Sequence, residues 1–159
     1  MKLYVIRHGN TDSNRLDIYN GKLLNEDINN IGIKQAQEAS KKIKNLNIDL
    51  IICSPLLRTR HTCDIINSNK IKVIYDDRIE ERNCGVLTNT KIDNFYYTEY
   101  WNYYSKVKID NLETVPELFK RVNLFLDEIK KKYRGQNILL VTCLLYTSPS
   151  PRDSKTSRM

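Results

Sequence analysis

Leu3-Tyr4-Val5-Ile6-Arg7-His8-Gly9-Asn10-Thr11 is an apolar run that stops abruptly in a cation, an imidazole and a glycine. A short run of this kind reads as a strand buried on both faces, the pattern of a parallel sheet in an α/β protein. The polar triplet then stands at the strand's carboxyl end, where open α/β sheets hold their ligands. Arg7 offers a planar fork of donors suited to a phosphate, and His8 is a nucleophile when neutral. Gly9 lets the backbone approach a ligand closely. Position and chemistry together point to a catalytic site for phosphate esters.

Working outward, residues 12–30 are rich in Asn and Asp and include Gly21, the composition of a long active-site loop. Within it Asn14 has two readings, a phosphate ligand or a turn and cap residue. Ile33, Ala36, Ala39, Ile43 and Leu46 recur at helical spacing, which predicts an amphipathic helix over residues 31–46. Residues 49–53 read as a second buried strand and complete a βαβ unit. Ser54-Pro55 then has the chemistry of a helix start, a hydroxyl cap followed by proline in the first turn. Arg58 falls in that first turn, so its side chain can reach the crevice of His8, and the helix amino end favours an anion there.

Residues 71–75 are a third strand candidate. Residues 96–104 are aromatic and irregular, fitting a helix or a lid equally. Over residues 115–133, Pro116 starts a helix and Leu118, Val122, Phe125, Leu126 and Ile129 form its buried stripe. Lys130, Lys131 and Lys132 suit its negative end. Gly135 stops it, and residues 137–142 read as a further buried strand.

The 159 residues suit one domain with a real core. A hydrophobic fraction of 40% and a charged fraction of 28% are those of a soluble globular protein. No apolar run reaches membrane-span length and no signal-peptide pattern opens the chain, so a cytoplasmic location without membrane association is expected. The net charge of +7 is scattered rather than blocked, which argues against nucleic acid and for a small anionic partner. Cys53, Cys63, Cys84 and Cys143 lack metal-ligand pairing and read as buried thiols. The run from Cys53 to Arg58 has four intervening residues, one short of the five that cysteine-phosphatase chemistry needs.

Arg7-His8-Gly9 with Thr11 and Asn14, then residues 54–62 (Ser-Pro-Leu-Leu-Arg-Thr-Arg-His-Thr), then Ile79-Glu80-Glu81 before Gly85, resemble in order and spacing the histidine phosphatase superfamily. This is the phosphoglycerate mutase-like group, and the resemblance covers residues 2–142, including Gly32-Ile33-Lys34-Gln35-Ala36. It implies a three-layer α/β/α fold with a mostly parallel sheet. It also implies that His8 becomes a phosphohistidine and that Arg7 and Arg58 clamp the phosphoryl oxygens in the absence of any metal or other cofactor. Glu81 matches the acid that protonates the leaving oxygen. Asn14 and Gly21 join Arg7 and Arg58 as expected substrate-binding positions, and a small phosphorylated metabolite is the expected partner. Oligomeric state is not legible.

Three positions depart from the family pattern. His61 replaces the usual Gln, and Thr88-Asn89 replaces Glu-Gly after Gly85. The third departure falls on the chemistry itself: the second catalytic His is expected at position 143, which is Cys. Every Asn and Ile of the chain lies before Cys143, and the tail carries Ser, Thr, Pro and Arg. Residues 143–153 resemble the translation of a transposon-derived sequencing adapter. The expectation is therefore an incomplete histidine phosphatase domain at 1–142, its C-terminal part missing, followed by a non-native, disordered tail at 143–159. Without that tail the net charge drops from +7 to +5. Such a chain is expected to be weakly active or inactive, with an incomplete sheet edge. The 62 positions from Glu81 to Cys143 favour a small phosphatase over a phosphoglycerate mutase. A phosphate-binding module without turnover is the alternative from another class. Sugar phosphates, a ribazole phosphate and phosphoamino acids all fit as substrates.

Overall fold

The computed structural model describes residues 1–93 and 98–143. Along the chain run β1 (Lys2–Arg7), α1 (Asp12–Arg15), α2 (Asn30–Ile43), β2 (Leu50–Cys53), α3 (Leu57–Ile66) and β3 (Val73–Tyr75). Two 3-10 turns, Asp77–Ile79 and Gly85–Leu87, lead towards α4 (Val115–Lys132) and β4 (Asn137–Thr142). The strands form one sheet in the order β1-β4-β2-β3, with every pairing parallel.

The register decides where the site falls. β4 lies between β1 and β2, pairing Arg7 with Thr142 and Cys53 with Val141. The carboxyl ends of β1, β2 and β4 therefore finish side by side, and the residues just past them, His8, Ser54 and Cys143, share one rim of the sheet.

Helices cover both faces. On one face Ala36 of α2 and Cys63 and Ile66 of α3 pack on Ile51, Cys53, Leu139 and Val141. On the other, Phe125 and Ile129 of α4 pack on Leu50, Ile52, Ile138 and Leu140. Full burial of a side chain such as Phe125 stabilises by about 1.5–3 kcal/mol. This is the α/β/α layering that the family resemblance implies.

β1 departs from its expected burial. Tyr4 and Ile6 pack with α2 and α3, but Leu3 and Val5 on the opposite face are 36% and 51% exposed. The reason is position: β1 is one of the two edge strands among the described residues, and α4 sits over β2 and β4. A run of alternating large apolar residues cannot reveal from sequence alone which of its faces is covered.

Local chemistry sets the helix ends. The Asn29 side chain caps α2 by accepting from the N–H groups of Ile31 and Gly32, both at 3.0 Å. Thr114 and Glu117 form a capping box at the start of α4, where Pro116 also stands. α3 corrects its expectation: Leu56, not Ser54, is the cap position, and no side chain of its own caps the helix. Instead the Leu57 N–H donates to Oδ1 of Asn25, 2.8 Å away in a distant loop. Arg58 still falls in the first turn. Of the 96–104 stretch, residues 96 and 97 lie outside the described residues, as does the tail from 144 to 159.

Candidate active site

His8 leaves the end of β1 with its backbone N–H on the Thr142 carbonyl, 3.1 Å away, so it continues the strand by one residue beside Cys143. Its side chain is 2% exposed, and its Nδ1 lies 2.6 Å from the Gly9 carbonyl oxygen. A carbonyl can only accept, so Nδ1 carries the proton in this contact and Nε2 holds the basic lone pair. That tautomer is the one a nucleophilic imidazole needs.

The next residues are locked by close packing. A Cβ on Gly9 would stand 2.6 Å from the Gly32 carbonyl oxygen, so only glycine lets the loop meet the start of α2 there. The Gly9 N–H donates to Oγ1 of Thr62 at 3.0 Å, and that hydroxyl donates to the Arg58 carbonyl at 2.7 Å. One threonine on α3 thus ties the His8–Gly9 turn to the turn that carries Arg58.

Arg58 is 1% exposed. Its Nη1 donates to the Leu24 carbonyl at 3.1 Å and its Nη2 to the Gly21 carbonyl at 2.9 Å. Its Nε is buried without a partner. A buried, charged donor left unsatisfied is costly, and an oxyanion is the partner that a guanidinium fork fits best. Gly21 contributes through its backbone: its φ is +58°, and a Cβ there would stand 2.7 Å from Cys84 Sγ.

Glu81 lies just past the Asp77–Ile79 turn, and its Oε1 accepts from the Arg82 N–H at 2.9 Å. Cys143 reports the convergence. Burial pushes its thiol up to about 12, the positive charges of Arg58 and Arg7 and a side-chain hydrogen bond with Arg58 act against that, and the negative charge of Glu81 adds to it. The side chain next to His8 therefore feels both arginines and the glutamate that the sequence singles out. Glu80 is also raised, first by its own burial and then by Asp77, with Lys22, Arg121 and Arg58 opposing.

Other expected positions resolve differently. Asn14 forms a capping box with Thr11, each side chain meeting the other's backbone N–H at 3.3 Å, so its side-chain oxygen acts locally at α1. His61 points its Nδ1 at the Asp27 carboxylate, 2.9 Å away at the exposed side of α3. All four cysteines are buried and unbridged. A concavity of about 240 Å³ lined by Val86, Leu87, Lys108, Ile109 and Asp110 includes none of the candidate residues.

Two arginines near Glu81 escaped the sequence reading. Arg82, 1% exposed, donates from Nε to the Glu113 carbonyl at 3.0 Å and from its two terminal nitrogens to the Tyr100 and Glu113 carbonyls. Its guanidinium lies 3.9 Å from the Tyr100 ring centroid. Arg121 on α4 pairs with Glu113 and donates to the carbonyls of Arg78, Glu80 and Glu81. Arg82 stands between Glu81 and Asn83 and Arg121 directly after Lys120, which disguises each buried side chain as a surface one.

A buried imidazole at the rim of a parallel sheet, with a buried arginine and a carboxyl on the segments that meet there, is the site of an α/β protein of three layers. The sequence profile of the histidine phosphatase superfamily (branch 1) matches residues 3–143, and the chain belongs to that family. It is 29% identical over 149 residues to phosphoserine phosphatase 1 of Hydrogenobacter thermophilus, covering 89% of this chain and 70% of that protein. It is 32% identical over 160 residues to a probable phosphoglycerate mutase GpmB of Yersinia pestis, covering 92% of this chain and 74% of that protein. The solved structure of a putative alpha-ribazole-5'-P phosphatase from Escherichia coli superposes with a TM-score of 0.74 at 25% identity, covering 89% of this chain and 73% of that one. Relatives of the chain thus include phosphatases and phosphoglycerate mutase-like proteins.

Proposed function

We propose that the chain is a phosphatase that hydrolyses small phosphate monoesters through a phosphohistidine on His8. The observation that carries this reading is the Nδ1 contact with the Gly9 carbonyl, which leaves Nε2 as the basic nitrogen of a buried imidazole. Nε2 attacks phosphorus while the bond to the ester oxygen breaks, and Glu81, protonated at that moment, gives its proton to the departing alkoxide. The Glu81 carboxylate then takes a proton from water, whose oxygen attacks phosphorus. Orthophosphate leaves and His8 returns neutral.

Arg7 and Arg58 hold the equatorial oxygens, whose charge they balance without a metal. Arg58 is suited to this by its unpartnered Nε. The Asn14 amide N–H and the backbone around Gly21 complete the substrate contacts, and the substrate is a small phosphorylated metabolite rather than nucleic acid or a membrane. No described helix is long and apolar enough to cross a membrane; we place the activity in the cytoplasm.

Cys143 favours a second reading, phosphate binding with little turnover. A buried thiol beside His8 cannot donate the charged hydrogen bond that an imidazolium would give the transferring phosphoryl group, and one such donor is worth on the order of 10²–10³ in rate. Orthophosphate release from a panel of sugar phosphates, phosphoamino acids and phosphoglycerates separates the readings. Slow release abolished by His8→Ala supports the phosphatase, and transfer between hydroxyls of a glycerate supports a mutase. Phosphate binding without release supports the non-catalytic module.

A further inference from the structure

We infer that Arg121, on the opposite layer from the nucleophile, is a positioning residue for the Glu81 carboxyl. The inference rests on the reading of Glu81 as the proton donor and adds what holds that donor in place. Residues 78–83 include only the end of one 3-10 turn and no strand; the Arg82 and Asn83 carbonyls accept from the Lys22 and Glu113 N–H groups, while those of residues 78–81 take their donors from side chains elsewhere. From β4, the Thr142 hydroxyl donates to the Ile79 carbonyl at 2.8 Å. From α4, Arg121 donates through Nη1 to the Arg78 carbonyl at 2.7 Å, and through Nη2 to those of Glu80 and Glu81 at 3.0 and 3.2 Å.

The guanidinium is itself held. Glu113 accepts from Arg121 Nε at 2.5 Å and from Nη2 at 2.9 Å, and its Oε2 also accepts from the Asn83 N–H at 3.2 Å. Arg121 and Glu113 are only 22% and 16% exposed at the side chain, so water does not readily replace them. One planar cation therefore fixes three carbonyls within four residues, and two of those peptides flank the Glu81 side chain. A rigid fork does this and a single ammonium cannot. Without it the Glu80 and Glu81 carbonyls lose this donor, while the Glu80 N–H stays on the Asp77 carbonyl and the Lys22 N–H on that of Arg82; displacing a catalytic group by about 1 Å costs on the order of 10²-fold.

The test uses leaving groups of different basicity. The rate of His8 phosphorylation is measured on the full chain with 4-nitrophenyl phosphate, whose weakly basic oxygen departs without a proton, and with glycerol phosphate, whose alkoxide needs one. Arg121→Met is expected to slow the glycerol ester about 30-fold or more while changing the aryl ester less than about 3-fold. Arg121→Lys is expected to fall between. Glu81→Gln should show the same selectivity, and adding Arg121→Met to it should bring little further loss, because both act on one proton transfer. Equal losses with both esters, or losses that multiply in the double variant, would overturn the assignment and make Arg121 a fold-holding residue. Failure of the unaltered chain to phosphorylate His8 with either ester would instead overturn the phosphatase reading, and this inference with it.

Discussion

Arg58 and Arg82 are equally hidden, each 1% exposed, and each hangs on backbone carbonyls, yet they do different work. Arg82 has carbonyls on all three of its nitrogens and an aromatic ring against its face. Arg58 has carbonyls on two nitrogens and none on its buried Nε, with the Cys143 thiol against the same side chain. A saturated buried cation is a pin between segments; on the function proposed above, the one with an unmade hydrogen bond is the one that takes the anion.

The comparison breaks most sharply at Arg58. Arg58→Met should cut His8 phosphorylation by about 10³-fold or more, as loss of an arginine that stabilises a transferring phosphoryl group does. Unfolding should move by only about 1–3 kcal/mol for the Gly21 and Leu24 carbonyls left behind. Rapid-quench labelling and thermal melts on the same sample read both. Next in size, Cys143→His should raise the phosphorylation rate by about 10²–10³-fold by restoring a charged donor beside His8; an unchanged rate would show that position 143 does not face the transferring group.

Arg82→Met should show the reverse pattern. Stability should fall by about 3 kcal/mol as the Tyr100 and Glu113 carbonyls lose their donor. Orthovanadate affinity measured by calorimetry should stay within about 3-fold. If affinity collapses while the melt is unchanged, the pin and the ligand site have been confused.

The smallest effect concerns pH. Burial alone would raise the Asp76 carboxyl, but the side-chain and backbone hydrogen bonds from Arg78, with its charge, outweigh burial and hold it below the usual carboxylate range. A carboxyl depressed in the fold adds stability that is fully present above its unfolded value and is lost as pH falls through the folded one. Melts between neutral and acid pH should show that loss, and Asp76→Asn should lessen its steepness.

What could be read in advance follows the same line. The positions of His8 at the carboxyl end of a strand and of Arg58 in the first turn of a helix were legible because both sit in short, distinctive blocks at strand ends. The α4 stripe was legible because Leu118, Val122, Phe125 and Ile129 are strictly periodic and all are buried. The start of α3 was not, since its cap is Asn25 from a loop 32 positions away. One-sided burial of β1 was not legible either, because sheet order is a tertiary fact. Arg121 hides on α4 between Lys120 and Val122, where a charge reads as the solvated face. Only its Glu113 partner, placed one residue before the Thr114 cap, could have hinted otherwise.

The central claim is that the His8 imidazole takes the phosphoryl group. Brief exposure of the full chain to radiolabelled 4-nitrophenyl phosphate, followed by peptide mapping, tests it directly. The account predicts an acid-labile, base-stable phosphoryl group on His8, absent from His8→Ala and nearly absent from Arg58→Met. A label on Cys143, or one that persists in His8→Ala, would contradict it.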